Sequence, residues 1–192
     1  MSNSKIRAKA RQDLGGNIFN ATWMTALAAY LIYALIVGAC SSVPYVGSVA
    51  SLLLTGPLFF GMIGYFLKLV RKTEKPTIDG LFDGFGDFLQ NFLLYLMMTL
   101  FTFLWTLLLI IPGVIKAYAY SMAFYIKRDH PTYSWKECLD ESQRLMQGHK
   151  GDLFCLHLSL IGWGLLCVLT CGIGFLWLLP YMEAANANFY AS

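Results

Sequence analysis

Charge is scarce in this chain. Only 13% of its 192 residues are Asp, Glu, Lys or Arg, against 57% hydrophobic, and the mean hydropathy is +0.57. Soluble domains carry about 25% charged residues, and a soluble globule of this size has too little interior for so much apolar surface. Lipid must therefore be part of the solvent. The net charge of +3 is small and no basic stripe interleaves with aromatics, which argues against a nucleic-acid partner. Ligating side chains are just as sparse. Cys40, Cys138, Cys155, Cys167 and Cys171 follow no metal or disulfide spacing, and Cys167 and Cys171 share a helix face as small apolar packing residues. His130, His149 and His157 form no ligand pair; two are expected at interfaces and one packed inside a helix. His-Glu-x-x-His, Gly-x-Ser-x-Gly and a phosphate-binding loop are all absent. Ser121 lies five residues from Lys116, a poor spacing for Ser–Lys chemistry. The expectation is a protein without catalytic activity, metal or cofactor.

What is abundant is long apolar runs. A spanning helix needs about 20 such residues. Phe19–Cys40, Tyr45–Val70, Phe88–Ile111, Pro112–Ile126, Leu153–Thr170 and Gly174–Tyr190 are the six candidates, the second with a kink expected at Gly56–Pro57. Residues 88–126 as one helix would reach about 58 Å, against a hydrocarbon core of roughly 30 Å, so "PG" at 112–113 reads as a tight reversal between two spans. Val37–Cys40, "VGAC", resembles a lipoprotein cleavage box, but a signal peptide would have a shorter polar start; the segment is read as a retained helix.

The few charges fall on one side of this layout. Lys5, Arg7, Lys9 and Arg11 precede the first span, and Lys68, Arg71, Lys72 and Lys75 follow the second. Lys127, Arg128, Lys136, Arg144 and Lys150 separate the fourth from the fifth, while the "SSVP", "PG" and "CGI" connections carry none. Basic residues accumulate in cytoplasmic loops. The pattern predicts a multi-pass protein with both termini cytoplasmic.

The fold class expected is all-α: a polytopic bundle of six transmembrane helices arranged as three hairpins, with one or two interfacial amphipathic helices. The three units, about 4–70, 79–127 and 134–192, look like pseudo-repeats within a single domain. Each has a lead-in ("DLGGN", "LFDGFGD", "LMQGHKGD") and a proline in its second helix, at Pro57, Pro112 or Pro180. Ser134 and Glu137 form a capping box for a helix ending near Gly148, whose face of Trp135, Cys138, Leu139, Ser142, Leu145 and Met146 would lie on the bilayer or the bundle. "SKIRAKARQDL" repeats the idea, with Ile6, Ala10 and Leu14 facing inward. Asp79, Asp83 and Asp87 recur every four residues, yet the glycines between them suit a solvated segment anchored by Phe82, Phe85 and Phe88 better than a cation cage.

Lys116 and Glu183 are the two charges well inside spans. Such charges are costly and usually paired or functional. Each follows its proline by about one turn, so the two are expected at matching depth, as a pair. Lys116, Ala119, Tyr120 and Ala123 follow helical spacing, as do Glu183, Asn186, Ala187 and Tyr190, and Gly61, Gly64, Tyr65 and Lys68. Lys116, Glu183, Tyr120 and Asn186 are therefore the candidate ligand-binding residues, with Tyr65, Ser121, Asn188 and Tyr190 as secondary lining; short proline-interrupted spans in corresponding positions are a pointer to a transporter site.

"IPGVIKAYAYSMAFYI", "ESQRLMQGHKGDLFCLHLSLIGW", "LTCGIGFLWLLPYMEAANANFY" and the lead-in "KARQDLGGN" together resemble a bacterial membrane family, domain of unknown function 975, common in Gram-positive species. The resemblance covers nearly the whole chain and implies a six-helix protein of the bacterial plasma membrane with no assigned reaction. The functional expectation is binding or transport of an amphiphilic, lipid-like molecule, or resistance or immunity to a membrane-active compound. The alternative is a structural or assembly partner of another plasma-membrane protein. Membrane lipids, an amphiphilic ligand and a membrane protein partner are the interactions these readings imply.

Overall fold

The computed structural model describes residues 3–16, 20–42, 46–74, 76–169, 172 and 174–191. Among them the chain is helical throughout: α1 (Asn3–Asp13), α2 (Ala21–Ser41), α3 (Val46–Arg71), a 3₁₀ segment (Ile78–Phe85), α4 (Phe88–Leu108), α5 (Ile110–Tyr120), α6 (Ala123–Asp129), α7 (Trp135–Leu145), α8 (Lys150–Leu169) and α9 (Phe175–Tyr190). In chain order α1 precedes α2 and α3, the 3₁₀ segment precedes α4, α5 and α6, and α7 precedes α8 and α9. Phe19, Tyr45 and Thr170, at the edges of expected spans, lie outside the described residues, as do Asn17, Lys75, Cys171 and parts of the "SSVP" and "CGI" connections.

Four helices, α2, α3, α4 and α8, are long and apolar enough to cross a membrane, with mean hydropathies of 1.6 to 1.9. Their exposed surface is greasy. Leu35, Val49, Phe103, Leu107, Trp163, Leu165 and Val168 stand open, near the hairpin turns, a surface that water would not tolerate and acyl chains would cover. The buried core sits toward the other end, around α3 from Leu58 to Val70, with α1, α6, α7 and the last turns of α9 against it.

Ion pairs gather at that same end. Arg71 holds Asp129 in a bidentate contact at 2.6 and 2.7 Å, and Tyr190 Oη donates to the same carboxylate at 2.8 Å. The Arg71 hydrogen bond holds the Asp129 carboxyl below its usual range. Arg128 meets Asp83 and Lys127 meets Asp87, both at 2.8 Å. Two of the three evenly spaced acids are thus counter-ions of α6. The 3₁₀ segment that carries the first two lies on α3 with Leu81 buried and Phe82 and Phe85 exposed, and a ladder of stacked rings continues through Phe88 to Phe92. Glycine makes the seating possible: Gly61 faces the Leu81 backbone and Gly84 faces the Pro57 backbone, both without room for a Cβ. Asn91 Nδ2 then donates to the Gly84 carbonyl at 2.8 Å. α3 runs through Gly56–Pro57 as one helix.

Two expectations need correction. The reversal after α4 occurs at Leu109, whose backbone is extended (φ −159°, ψ 136°), not at 112–113. Pro112 sits in the first turn of α5, where its missing N–H costs nothing. Gly113 then lets α5 fold back on Thr106; a Cβ there would come within 2.6 Å of the Thr106 Cα. Second, the expected span Pro112–Ile126 is not one helix. It breaks at Ser121–Met122 into α5 and α6.

α7 explains why that break is tolerated. Its capping box forms, with Glu137 Oε2 accepting from Ser134 N–H at 2.7 Å and Ser134 Oγ accepting from Glu137 N–H at 3.4 Å. It then lies against α4, α5 and α6, burying Cys138, Leu139 and Ser142. Burial pushes the Cys138 thiol up to about 11, as befits a packing residue. Ser142, wholly buried, donates to the Ala119 carbonyl at 2.8 Å and accepts from the Met122 N–H at 3.2 Å. One hydroxyl thereby satisfies two of the backbone groups at the break. Ser142→Ala leaves both unpaired in the interior and is expected to cost about 1–3 kcal/mol, read as a lowered unfolding temperature of the purified protein.

Candidate functional site

A cavity of about 560 Å³ opens among α3, α4, α5, α6, α8 and α9. Its walls are Phe59, Met98, Phe103, Ala117, Met122 and Leu153. Its polar groups are Tyr95, Thr99, Thr102, Thr106, Ser121, Tyr125, His157, Glu183 and Asn186. The threonines are spaced so that one face of α4 presents hydroxyls within an otherwise apolar run. Tyr125 is 3% exposed and its hydroxyl has no hydrogen-bond partner among the described residues.

At one side of the cavity α5, α8 and α9 are joined by a relay. Asn186 Oδ1 is 2.9 Å from His157 Nε2, and Tyr118 Oη is 3.2 Å from His157 Nδ1. An amide oxygen only accepts, so Nε2 carries the proton and Nδ1 accepts from the tyrosine hydroxyl. Glu183, half-buried one turn before Asn186, lies within electrostatic range of Tyr30, Tyr33 and Tyr125. Its carboxylate has no hydrogen bond and no ion pair with any described residue.

Lys116 is elsewhere. Its Nζ donates to Gln143 Oε1 of α7 at 2.8 Å and lies over the rings of Trp105 and Tyr120, 5.3 and 5.7 Å from their centres. The expected Lys116–Glu183 pair does not form. α5 lies against α4, α7 and α8, whereas α9 lies against α1, α2, α3 and α8; comparable distance from a proline sets depth along a helix, not the neighbour it faces.

The other candidates divide the same way. Asn186 and Ser121 line the cavity with Glu183, the serine hydroxyl already donating to the Tyr118 carbonyl at 2.8 Å. Tyr120 is buried beside Lys116 and Phe101. Tyr65 donates to Thr25 Oγ1 at 3.1 Å, tying α3 to α2. Asn188 bonds Asp13 and the Ala184 carbonyl, both at 3.0 Å, tying α9 to α1, and Tyr190 belongs to the Arg71–Asp129 cluster. His157, Tyr95, Tyr125 and the threonine face were not among the candidates. The threonine spacing was visible in the sequence; the histidine had no signal until α8 was placed beside α5 and α9. No group of acids, histidines and cysteines suited to a metal occurs among the described residues.

The family described as Protein of unknown function (DUF975) matches this chain at residues 1–118 and 106–192. No curated protein and no solved structure matches it.

Proposed function

From the premise that the chain belongs to the DUF975 family, which carries no assigned reaction, we propose that it is a non-catalytic membrane protein that holds an amphiphilic, lipid-like molecule in the cavity beside α4. The observation that carries this reading is the cavity itself. Its volume, about 560 Å³, lies in the range of small-molecule sites, which are mostly apolar with a few placed polar groups. Here apolar walls suit an acyl or aryl body, and Glu183, Asn186, His157 and the threonine hydroxyls suit a headgroup. Transport, or resistance or immunity to a membrane-active compound, is the cellular role that such a site serves.

The same reading places the chain in the bacterial plasma membrane as six passes in three hairpins, with α5 and α6 together making the fourth pass and α9 the sixth. Both ends and the ion-paired side face the cytoplasm. Thirteen of the fourteen basic residues fall, in the sequence, in the segments that this topology puts inside, which supports it, and the exposed Phe82 and Phe85 support an interfacial seat for the 3₁₀ segment.

The test uses protein in phosphatidylcholine nanodiscs and a dansyl-tagged dodecyl alcohol, with equilibrium dialysis measured against empty nanodiscs. Saturable binding in excess of the lipid is expected. Thr102→Phe, which fills the cavity without touching the core, is expected to weaken it at least tenfold. Absence of saturable binding for this probe and its charged analogues would overturn the reading.

A further inference from the structure

Resting on the amphiphile reading and deepening it, we infer that the cavity selects a cationic headgroup, with Glu183 as its counter-ion. Among the described residues Glu183 is the sole acid lining the cavity, and no lysine or arginine lines it. The acids outside the cavity are largely partnered: Asp13 by Lys72, Glu74 by Lys68, Asp83 by Arg128, Asp87 by Lys127, Asp129 by Arg71 and Glu141 by Arg144. All of these except the buried Asp13 sit where water can solvate them as well. Glu183 lies in an apolar segment, where a partner is worth most, and none of the described residues supplies one.

Two basic groups on helices that border the cavity, Lys116 of α5 and His157 of α8, are already engaged. Lys116 is fixed to Gln143 outside the cavity. His157 has Tyr118 on one ring nitrogen and Asn186 on the other, so neither remains for the carboxylate. The partner that completes the site must therefore arrive with the ligand. The walls agree with a cation rather than a neutral donor alone: the aromatic side chains of Phe59, Tyr95, Phe103 and Tyr125 border the same space, and Tyr30 and Tyr33 lie within electrostatic range of Glu183. Aromatic faces beside a carboxylate are the arrangement that recognises alkylammonium groups. An anionic headgroup would meet Glu183 with no basic residue to offset the repulsion.

The experiment compares three dansyl-tagged dodecyl chains, ending in trimethylammonium, hydroxyl and sulfate, on the protein in phosphatidylcholine nanodiscs. The expected order of affinity is trimethylammonium first by at least tenfold, then hydroxyl, with sulfate weakest. Glu183→Gln keeps the side-chain volume and is expected to remove the trimethylammonium advantage, so that on this variant the trimethylammonium and hydroxyl chains bind within about twofold of each other, the difference lost being that of one charge pair. Equal binding of the three chains to the unaltered protein, or an ammonium preference that survives Glu183→Gln, overturns the inference. If the chains bind equally and Thr102→Phe weakens them all, the cavity reading stands and only the headgroup assignment falls. If none binds, both fall. The headgroup series on the unaltered protein decides the matter even if the Glu183 variant does not fold.

Discussion

Gly61→Ala is expected to produce a protein that unfolds far below the temperature of the parent or fails to stay monodisperse in detergent, with Gly84→Ala close behind. A Cβ on Gly61 would overlap the carbonyl oxygen of Leu81 and come within 2.7 Å of its Cα. One on Gly84 would overlap the Pro57 carbonyl and come within 2.9 Å of its Cα. Overpacking usually costs about 1–3 kcal/mol because neighbouring side chains can shift. Here the obstacle is main chain on both sides, one strand of it helical, so the cost should reach or exceed the top of that range. The 3₁₀ segment would have to lift from α3, exposing Leu81 and breaking the Asn91–Gly84 hydrogen bond. The double variant should be less than additive, since either change alone dislodges the same segment. Thermal unfolding of the three purified proteins checks this. A parent-like melting temperature for Gly61→Ala would mean that the two backbones do not meet.

The second large effect is expected at Lys127. This lysine is 2% exposed, and its ammonium uses all three donors: the Pro131 carbonyl at 2.7 Å, the Tyr133 carbonyl at 2.9 Å and Asp87 at 2.8 Å. It pins the 130–134 turn and the start of α4 to the end of α6. Removing one member of a buried charged pair costs about 3–5 kcal/mol. The Asp87 side chain is 51% exposed, so water recovers part of that loss, and Lys127→Ala is expected near the lower figure. Lys127→Met should recover little, because volume is not what is lost. Asp87→Asn should cost below about 1 kcal/mol, as for an exposed partner, since both carbonyls remain satisfied. Equal destabilisation by Lys127→Met and Asp87→Asn would show that the salt bridge dominates, contrary to the carbonyl account. Melting temperatures and the rate of proteolysis at 130–134 separate these outcomes.

Lys127 also shows how far the chain can be read in one dimension. By position it belongs with the other basic residues after the fourth apolar run. That it is interior was not legible, because burial depends on Pro131 and Tyr133 turning their carbonyls back toward it. The same holds for the break between α5 and α6. Nothing in "YAYSMAFY" forbids a continuous helix; the interruption is supported by Ser142, delivered from another helix more than twenty residues later. The capping box of α7 was legible because its two residues are local and their geometry repeats in every helix that uses it.

Glu183 stood out from the sequence as a rare charge in an apolar run, and Asn186 followed from helical spacing. Their company did not. Depth can be counted along a helix, so Lys116 and Glu183 looked like partners, but the direction each faces depends on which helices touch. The structure turns Lys116 toward Gln143 and Trp105 and leaves Glu183 beside His157, Tyr95 and Tyr125 in the cavity wall.

Composition and run length alone decided the helical class and the long apolar helices, four of them able to cross a membrane, because each is a property of a segment against its surroundings and adds up residue by residue. Tertiary structure alone decided where α5 gives way to α6, that Lys127 is buried, and that Glu183 lines the cavity with no ion pair among the described residues. Those are relations between segments far apart in the chain, set by close packing of particular surfaces, and no local tally of residues contains them.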